Sequence, residues 1–356
     1  MSVSKVKLLE SASNIMSAAN VKKGDEVVLV GDTHSDTSVI ESLQLAAESI
    51  GARPTTVIGT EFPHYGDPFG KTFVDSPPKA VLNAMTGADL IVEVYPVMSV
   101  TWKPFFDAMR SVRKGAKSIG QFGDAEIMSS EMATYPLEII YTILKKVREF
   151  LLASGTGTFK VKTPSGSDLS GAFNPEKLNN ALTNGDPAPG PLLPRQSVTF
   201  PLAVCGFMHP NIRGVAVCDR YRGFRGDLKE PVSLTYEDGI VTNIEGGEEA
   251  TYLRSKLGLG KATCSHMLFG ANPKASLTRD RDEPSHREAE RSPACIDIHA
   301  DVEGVDRSCG YLLHPTLTIN DRVLIDNGRL VVLDDREVRT AASKYGNPDR
   351  LLERML

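Results

Sequence analysis

The 356-residue chain has no apolar run long enough to span a bilayer. Its first residues, Met1-Ser2-Val3-Ser4-Lys5, lack the apolar stretch of a secretion signal. It has no long basic run and a net charge of -5, so no nucleic acid and no membrane surface is expected as a partner. The five cysteines (Cys205, Cys218, Cys264, Cys295 and Cys309) are odd in number and include no C-x-x-C pair. They read as reduced thiols, not as a disulfide framework or a zinc knuckle, and a cytoplasmic location is expected. The phosphate-binding loops G-x-G-x-x-G and G-x-x-x-x-G-K-[ST] are missing, as is the nucleophile elbow G-x-S-x-G. No internal repeat is visible. What remains is a globular composition, 41% hydrophobic and 24% charged, long enough for two domains.

The first part of the chain alternates helix and strand. Val6, Leu9, Ile15 and Met16 predict a helix over residues 5–20, and the short apolar run 26–30 predicts a buried parallel strand. Asp32, Ser35 or Asp36 can cap a helix over 37–50, which Gly51 ends. Further strands are expected over 54–58, 89–95 and 117–122, with a helix around 104–113. His34, in the loop after the first strand, reads as a surface residue near a helix start. The amphipathic segment 137–153 reads as a connecting helix, after which the pattern changes to short strands separated by Gly and Pro. These are expected over 159–163, 197–204, 215–218, 232–236 and 240–244, with a hairpin turn at Tyr236-Glu237-Asp238-Gly239 and a helix over 248–257. Residues 184–191, rich in Pro and Gly, read as an exposed flap. The expected fold class is α/β, an N-terminal open Rossmann-like α/β domain (1–150) plus a C-terminal α+β catalytic domain (151–356). The N-terminal domain is read as structural, lending a loop to the site or an oligomer contact, so a homo-oligomer is expected.

Three histidine clusters lie within about 50 residues in the last quarter: Cys264-Ser265-His266-Met267, Asp297-Ile298-His299-Ala300-Asp301 and Leu312-Leu313-His314-Pro315-Thr316. In the second cluster the polar residues fall at i, i+2 and i+4, which on a strand places them on one face. Two readings stand side by side: metal ligands, or a histidine oriented by a carboxylate for acid–base work, with His299 and Asp301 as catalytic groups. The plain alternative is a solvated strand face. His266 and His314 each have the reading of a satisfied core or rim residue beside that of a ligand. Pro164-Ser165-Gly166-Ser167-Asp168 is a turn whose hydroxyls and N–H groups could hold an anionic substrate, with Ser167 as the candidate. The charged stretch 279–291, with His286, reads as a solvated loop.

The run 232–254, the segment Ser265-His266-Met267-Leu268-Phe269-Gly270, the later Leu313-His314 pair and the segment 162–168 resemble 2,5-dihydroxypyridine 5,6-dioxygenase. That enzyme shares a superfamily with the thermophilic-type metallo-aminopeptidases (aminopeptidase T). The resemblance covers roughly residues 155–335 and, before them, only the layout. It implies one Fe(II) held by the histidine of an S-H-x-x-x-G segment and by a later H-x-D pair. Carried over, His266 and His314 are the histidine ligands, and Thr316 stands where an Asp is expected. Asp301, Asp297 or Glu303 then supplies the carboxylate, with Asp301 first; otherwise the metal differs or is absent. The implied activity is ring opening of a small polar (hetero)aromatic compound by O₂, the alternative being a hydrolase of the same fold. The aminopeptidases have Glu at the position of His266, which sets this chain apart from a dinuclear peptidase.

Overall fold

A computed structural model describes residues 3–59, 78–94, 115–121, 124–175, 178–179, 190–192, 197–200, 204–207, 211–278, 288–302 and 308–355. The helix expected around 104–113, most of the 184–191 flap, His286 and Glu303 lie outside the described residues. The chain divides into two compact units: Met1–Gly66, Thr72–Leu137 and Leu182–Leu202 form one, and Asp67–Lys71, Glu138–Ala181 and Ala203–Leu356 the other. A single cut at residue 150 differs from this division at three places, one of them the short stretch Asp67–Lys71. The long connecting helix belongs to the second unit, and residues 182–202 return to the first.

The first unit is built on a parallel sheet of β1 (Glu26–Gly31), β2 (Arg53–Ile58), β3 (Leu90–Val94), β4 (Lys117–Gln121) and β8 (Ser197–Phe200), in the order β2-β1-β3-β4-β8. The expectation of one strand over 197–204 is corrected here. Ser197–Phe200 pairs with β4, while a separate strand, β9 (Val204–Phe207), belongs to the second unit. The central strands are apolar because both faces are covered: Val28, Val30 and Ile91 pack with Val81, Met85, Ala88 and Ala116. Helices α1 (Lys5–Ala18), α2 (Thr37–Ile50), α3 (Lys79–Met85) and α4 (Ala125–Met128) flank this sheet in sequence. Asp36 is the N-cap of α2, accepting from the Ser38 N–H, and Gly51 ends it at φ 83°.

The second unit carries α5 (Leu137–Ser154) and two antiparallel sheets. One contains β5 (Gly157–Lys162), β6 (Asp168–Phe173), β10 (Arg213–Cys218), β12 (Val232–Glu237), β13 (Ile240–Glu245), β17 (Thr316–Ile319), β18 (Arg322–Asp326) and β19 (Arg329–Leu330). The other has the order β11-β16-β15-β14-β9-β7, with β7 (Leu178–Asn179), β11 (Arg220–Tyr221), β14 (Met267–Gly270), β15 (Cys295–His299) and β16 (Cys309–Leu313). The β12–β13 hairpin turns at Asp238 and Gly239, both at positive φ, as Asp-Gly turns require. Helices α6 (Glu248–Leu257), α7 (Arg336–Ser343) and α8 (Pro348–Leu352) complete the unit. No helix among the described residues is long and apolar enough to cross a membrane.

Every residue of β15 is buried, although two of its five side chains are polar, Asp297 and His299. Burying a carboxylate and an imidazole in a sheet interior is costly unless partners converge on them. Those partners define the site.

Candidate metal centre

Antiparallel pairing sets the positions. His299 is paired with Cys309 and Asp297 with Tyr311 across β15 and β16, so these four side chains share one face. On the other side of β15, Met267 is paired with Ile298, and the His299 N–H donates to the His266 carbonyl at 3.2 Å. His266 therefore enters β14 directly beside His299, and their rings lie 3.7 Å apart, tilted by 31°. Just beyond β15, Asp301 exchanges both backbone hydrogen bonds with Thr263, at 2.8 and 2.9 Å. That bridge holds the Asp301 side chain against the same cluster. At the far end of β14, Gly270 lies against the Arg291 backbone, where a Cβ would come within 1.9 Å of a carbonyl carbon. The glycine of the S-H-x-x-x-G segment is required by that close approach.

The donor atoms of His266, His299 and Asp301 lie within 4.8 Å of one another. Ser265 ties two of them together: its Oγ is 2.7 Å from His266 Nδ1 and donates to Asp301 Oδ2. Since that hydroxyl gives its proton to the carboxylate, it accepts from His266 Nδ1–H, and the His266 lone pair is then on Nε2. His299 stands between two carboxylates, with Nδ1 3.3 Å from Asp301 Oδ1 and Nε2 3.3 Å from Asp297 Oδ2. The Tyr236 hydroxyl fixes the backbone beneath by donating to the His299 carbonyl at 3.1 Å.

Charge in this cluster is strongly polarised. Burial alone would press His299 toward its neutral form, but the Cys309 sulfur and the Asp297 and Asp301 carboxylates reverse this and raise its pKa well above the ordinary value. Burial would likewise raise Asp301, yet the bonds from His299 and Ser265 hold it down at about 2. Asp297 is also held below its usual range, its burial outweighed by His299 and, further off, by His266 and Arg222. Two carboxylates thus set up a field that favours positive charge at the imidazole edge, whether a proton or a metal ion supplies it.

The structure brings together His266, His299 and Asp301, but not His314 or Ser167. His314 follows β16 at the end where Leu313 pairs with Cys295, four residue steps from the Cys309–His299 pair, about 13 Å along the ladder. The expectation that His314 shares a site with His266 is corrected by this register. His314 instead turns the chain from one sheet into the other, at φ 52°, with its N–H on the Ala294 carbonyl and its ring 3.5 Å from Arg354. Burial and Arg354 lower its pKa. Thr316, expected at an Asp position, accepts from the Asn327 N–H through Oγ1. The H-x-D pattern stands instead at His299-Ala300-Asp301. Ser167 is buried, and its hydroxyl both accepts from the Val217 N–H (2.9 Å) and donates to the Val217 carbonyl (3.2 Å), clipping two strands together. Those two bonds occupy the hydroxyl expected to hold an anionic substrate. Sequence reasoning missed Cys309 and Arg222, whose guanidinium donates to Cys309 Sγ at 3.7 Å. Only cross-strand register reveals them.

No family model and no curated protein sequence matches the chain. The fold is similar to that of 2,5-dihydroxypyridine dioxygenase from Pseudomonas putida KT2440, with a TM-score of 0.71 at 18% identity over 95% of this chain and 100% of that one. It is also similar to AmpT from Thermus thermophilus, with a TM-score of 0.58 at 14% identity over 92% of this chain and 100% of that one. The resemblance read from the sequence is therefore met at the level of the fold, which is of the α/β class expected.

Proposed function

We propose that the protein is a mononuclear iron(II) dioxygenase that opens the ring of a small, polar, hydroxylated (hetero)aromatic compound. The observation that carries this reading is the convergence of His266, His299 and Asp301. Two imidazoles and one carboxylate are the donor set of non-haem iron(II) oxygenases that keep open positions. The likeness to the dioxygenase fold supports the same reading. The residues fit such an ion: the Asp301 carboxylate compensates part of its charge, and Asp297 stands on the opposite edge of the His299 ring.

Held by these three groups, iron(II) would supply a binding point for both dioxygen and an ionised substrate hydroxyl. The chain's own residues do the rest. His266 offers Nε2 because Ser265 takes its Nδ1–H, and Ser265 passes that ordering on to Asp301. His299 offers Nδ1, on the Asp301 side, because Asp297 holds the Nε2–H. A carboxylate behind a ligating histidine fixes the tautomer and raises the basicity of the ring. Burial of both histidines keeps bulk water from competing for the ligand atoms.

The likeness to AmpT favours a second reading, a metal-assisted hydrolase of the same fold. The two are separated by loading the metal-free protein with Fe(II) anaerobically, then following dioxygen consumption with dihydroxypyridines as substrates. Stoichiometric O₂ uptake that a chelator abolishes is expected. An iron-loaded protein that consumes no dioxygen, or chelator-resistant hydrolysis, removes the dioxygenase reading.

A further inference from the structure

The buried face of β15 holds a second group of donors that the iron reading does not use. Asp297, His299 and Cys309 are each almost fully buried, and one ligand atom from each lies within 4.8 Å of the other two. The two groups meet at His299 from opposite edges of its ring. Asp301 lies on the Nδ1 edge and Asp297 on the Nε2 edge. An independent observation marks the second edge: Asp297 Oδ1 is buried and has no hydrogen-bond partner among the described residues. A buried carboxylate oxygen without a donor is unfavourable, so its retention calls for a ligand.

We propose that Asp297, His299 and Cys309 form a second, thiophilic metal site for a zinc(II)-class ion, exclusive with the His266–His299–Asp301 site because both need His299. The donor chemistry separates the two. Thiolate with imidazole and carboxylate suits zinc, whereas two imidazoles with one carboxylate suit iron(II). A neutral imidazole has a single ring lone pair. With an ion on Nε2, His299 carries its proton on Nδ1 and donates it to Asp301 Oδ1, which withdraws both residues from the first site. With an ion on Nδ1, the Nε2–H returns to Asp297 and Cys309 keeps its thiol proton. Binding at the second site displaces that thiol proton to solvent. Arg222, donating to the Cys309 sulfur, is placed to stabilise the resulting thiolate. Zinc is then an antagonist of iron loading. The antagonism rests on the iron reading, while the zinc site itself does not.

The test uses the metal-free full-length chain. Cobalt(II), as a spectroscopic stand-in for zinc, is expected to give a sulfur-to-metal charge-transfer band that Cys309→Ser abolishes. Zinc K-edge absorption of the zinc-loaded wild type, which depends on no variant, is expected to report one sulfur neighbour at about 2.3 Å. Only nitrogen and oxygen neighbours around zinc, or a cobalt–sulfur band that persists in Cys309→Ser, overturns the site. Zinc titrated into iron-loaded wild type should release iron one for one. Cys309→Ser should need more zinc by over the roughly 10–100-fold that loss of an outer-shell partner costs. Asp301→Asn should keep the sulfur band and lose iron. If the wild type shows the sulfur band but never takes up iron, the dioxygenase reading falls and the zinc site stands; iron uptake without any sulfur band gives the reverse.

Discussion

Asp301→Asn probes the first site with almost no change in volume. Asparagine keeps the Thr263 backbone bridge and can still meet Ser265, but it carries no charge. In the metal-free protein the ordinary carboxyl value of 3.8 falls to about 2 through contacts with His299 and Ser265. At 1.36 kcal/mol per pH unit that is about 2 kcal/mol of stability at neutral pH. For a unit of this size the corresponding drop in melting temperature is roughly 4–8 °C. The loss in metal binding is larger, because a charged ligand becomes a neutral amide. It exceeds the 10–100-fold of an outer-shell change, so more than about 2.7 kcal/mol of Fe(II) affinity disappears. Anaerobic Fe(II) competition with a chromophoric chelator gives the affinity, and thermal unfolding with and without metal gives both effects in one assay. Wild type should be stabilised by added metal according to its saturation, and the variant should not respond at the same concentration. An Asp301→Asn protein that binds Fe(II) as tightly as wild type refutes the assignment of this carboxylate and with it the mononuclear centre.

Two further outcomes follow from the same geometry. His314→Ala should leave Fe(II) affinity within about threefold of wild type, since the residue lies about five residue steps, roughly 16 Å, down the ladder from His299; loss of metal in that variant would restore His314 as a ligand. In the metal-free protein, Asp301, with a depressed pKa, contributes stability above about pH 4 that is lost as the pH falls toward 2. His299, with a raised pKa, contributes stability that is full below about pH 6.5 and is lost as the pH rises through its elevated value. The melting temperature without metal should therefore fall from pH 6 toward pH 8 and beyond, while the increment from added Mn(II), which needs the deprotonated imidazole, should grow over that interval. A metal increment independent of pH would show that His299 is not a ligand.

What could be read from the sequence was local. Helix α2 with its Asp36 cap, the Asp238-Gly239 turn and the short buried strand β1 each depend on residues within one or two turns of chain. Alternation alone placed Asp297, His299 and Asp301 on one face. The errors all concern register between distant strands. Ser197–Phe200 looked like the start of a strand ending at Val204, yet Ser197–Phe200 completes a parallel sheet whose other strands end some 75 residues earlier. The H-x-D pair was sought at His314-Pro315-Thr316, where it lacks its carboxylate. The pattern is complete at His299-Ala300-Asp301, and only the pairing of β14 with β15 shows that His266 sits beside it.

That register also explains why one face of one strand can hold such concentrated charge. Along β15 the side chains at 297 and 299 point the same way, and Asp301 continues the series past the strand end. Their cross-strand and loop neighbours add an imidazole, a hydroxyl and a thiol at the places the pleat leaves for them. His299, at the centre, touches both carboxylates, and each of its two nitrogens faces one of them. A single proton on that ring therefore decides which edge offers a lone pair, and the choice between Nδ1 and Nε2 is a choice between two sets of ligands. Substituting Asp297 by Asn changes that balance without touching Asp301. It replaces the charged acceptor of Nε2–H by a neutral amide that can also donate to that nitrogen, weakens the preference for a lone pair on Nδ1, and so lowers Fe(II) affinity by roughly 10–100-fold. The effect should appear as weaker metal binding and a smaller rise in melting temperature at the same Fe(II) concentration. An Asp297→Asn protein with unchanged iron affinity would mean that the tautomer of His299 is set elsewhere.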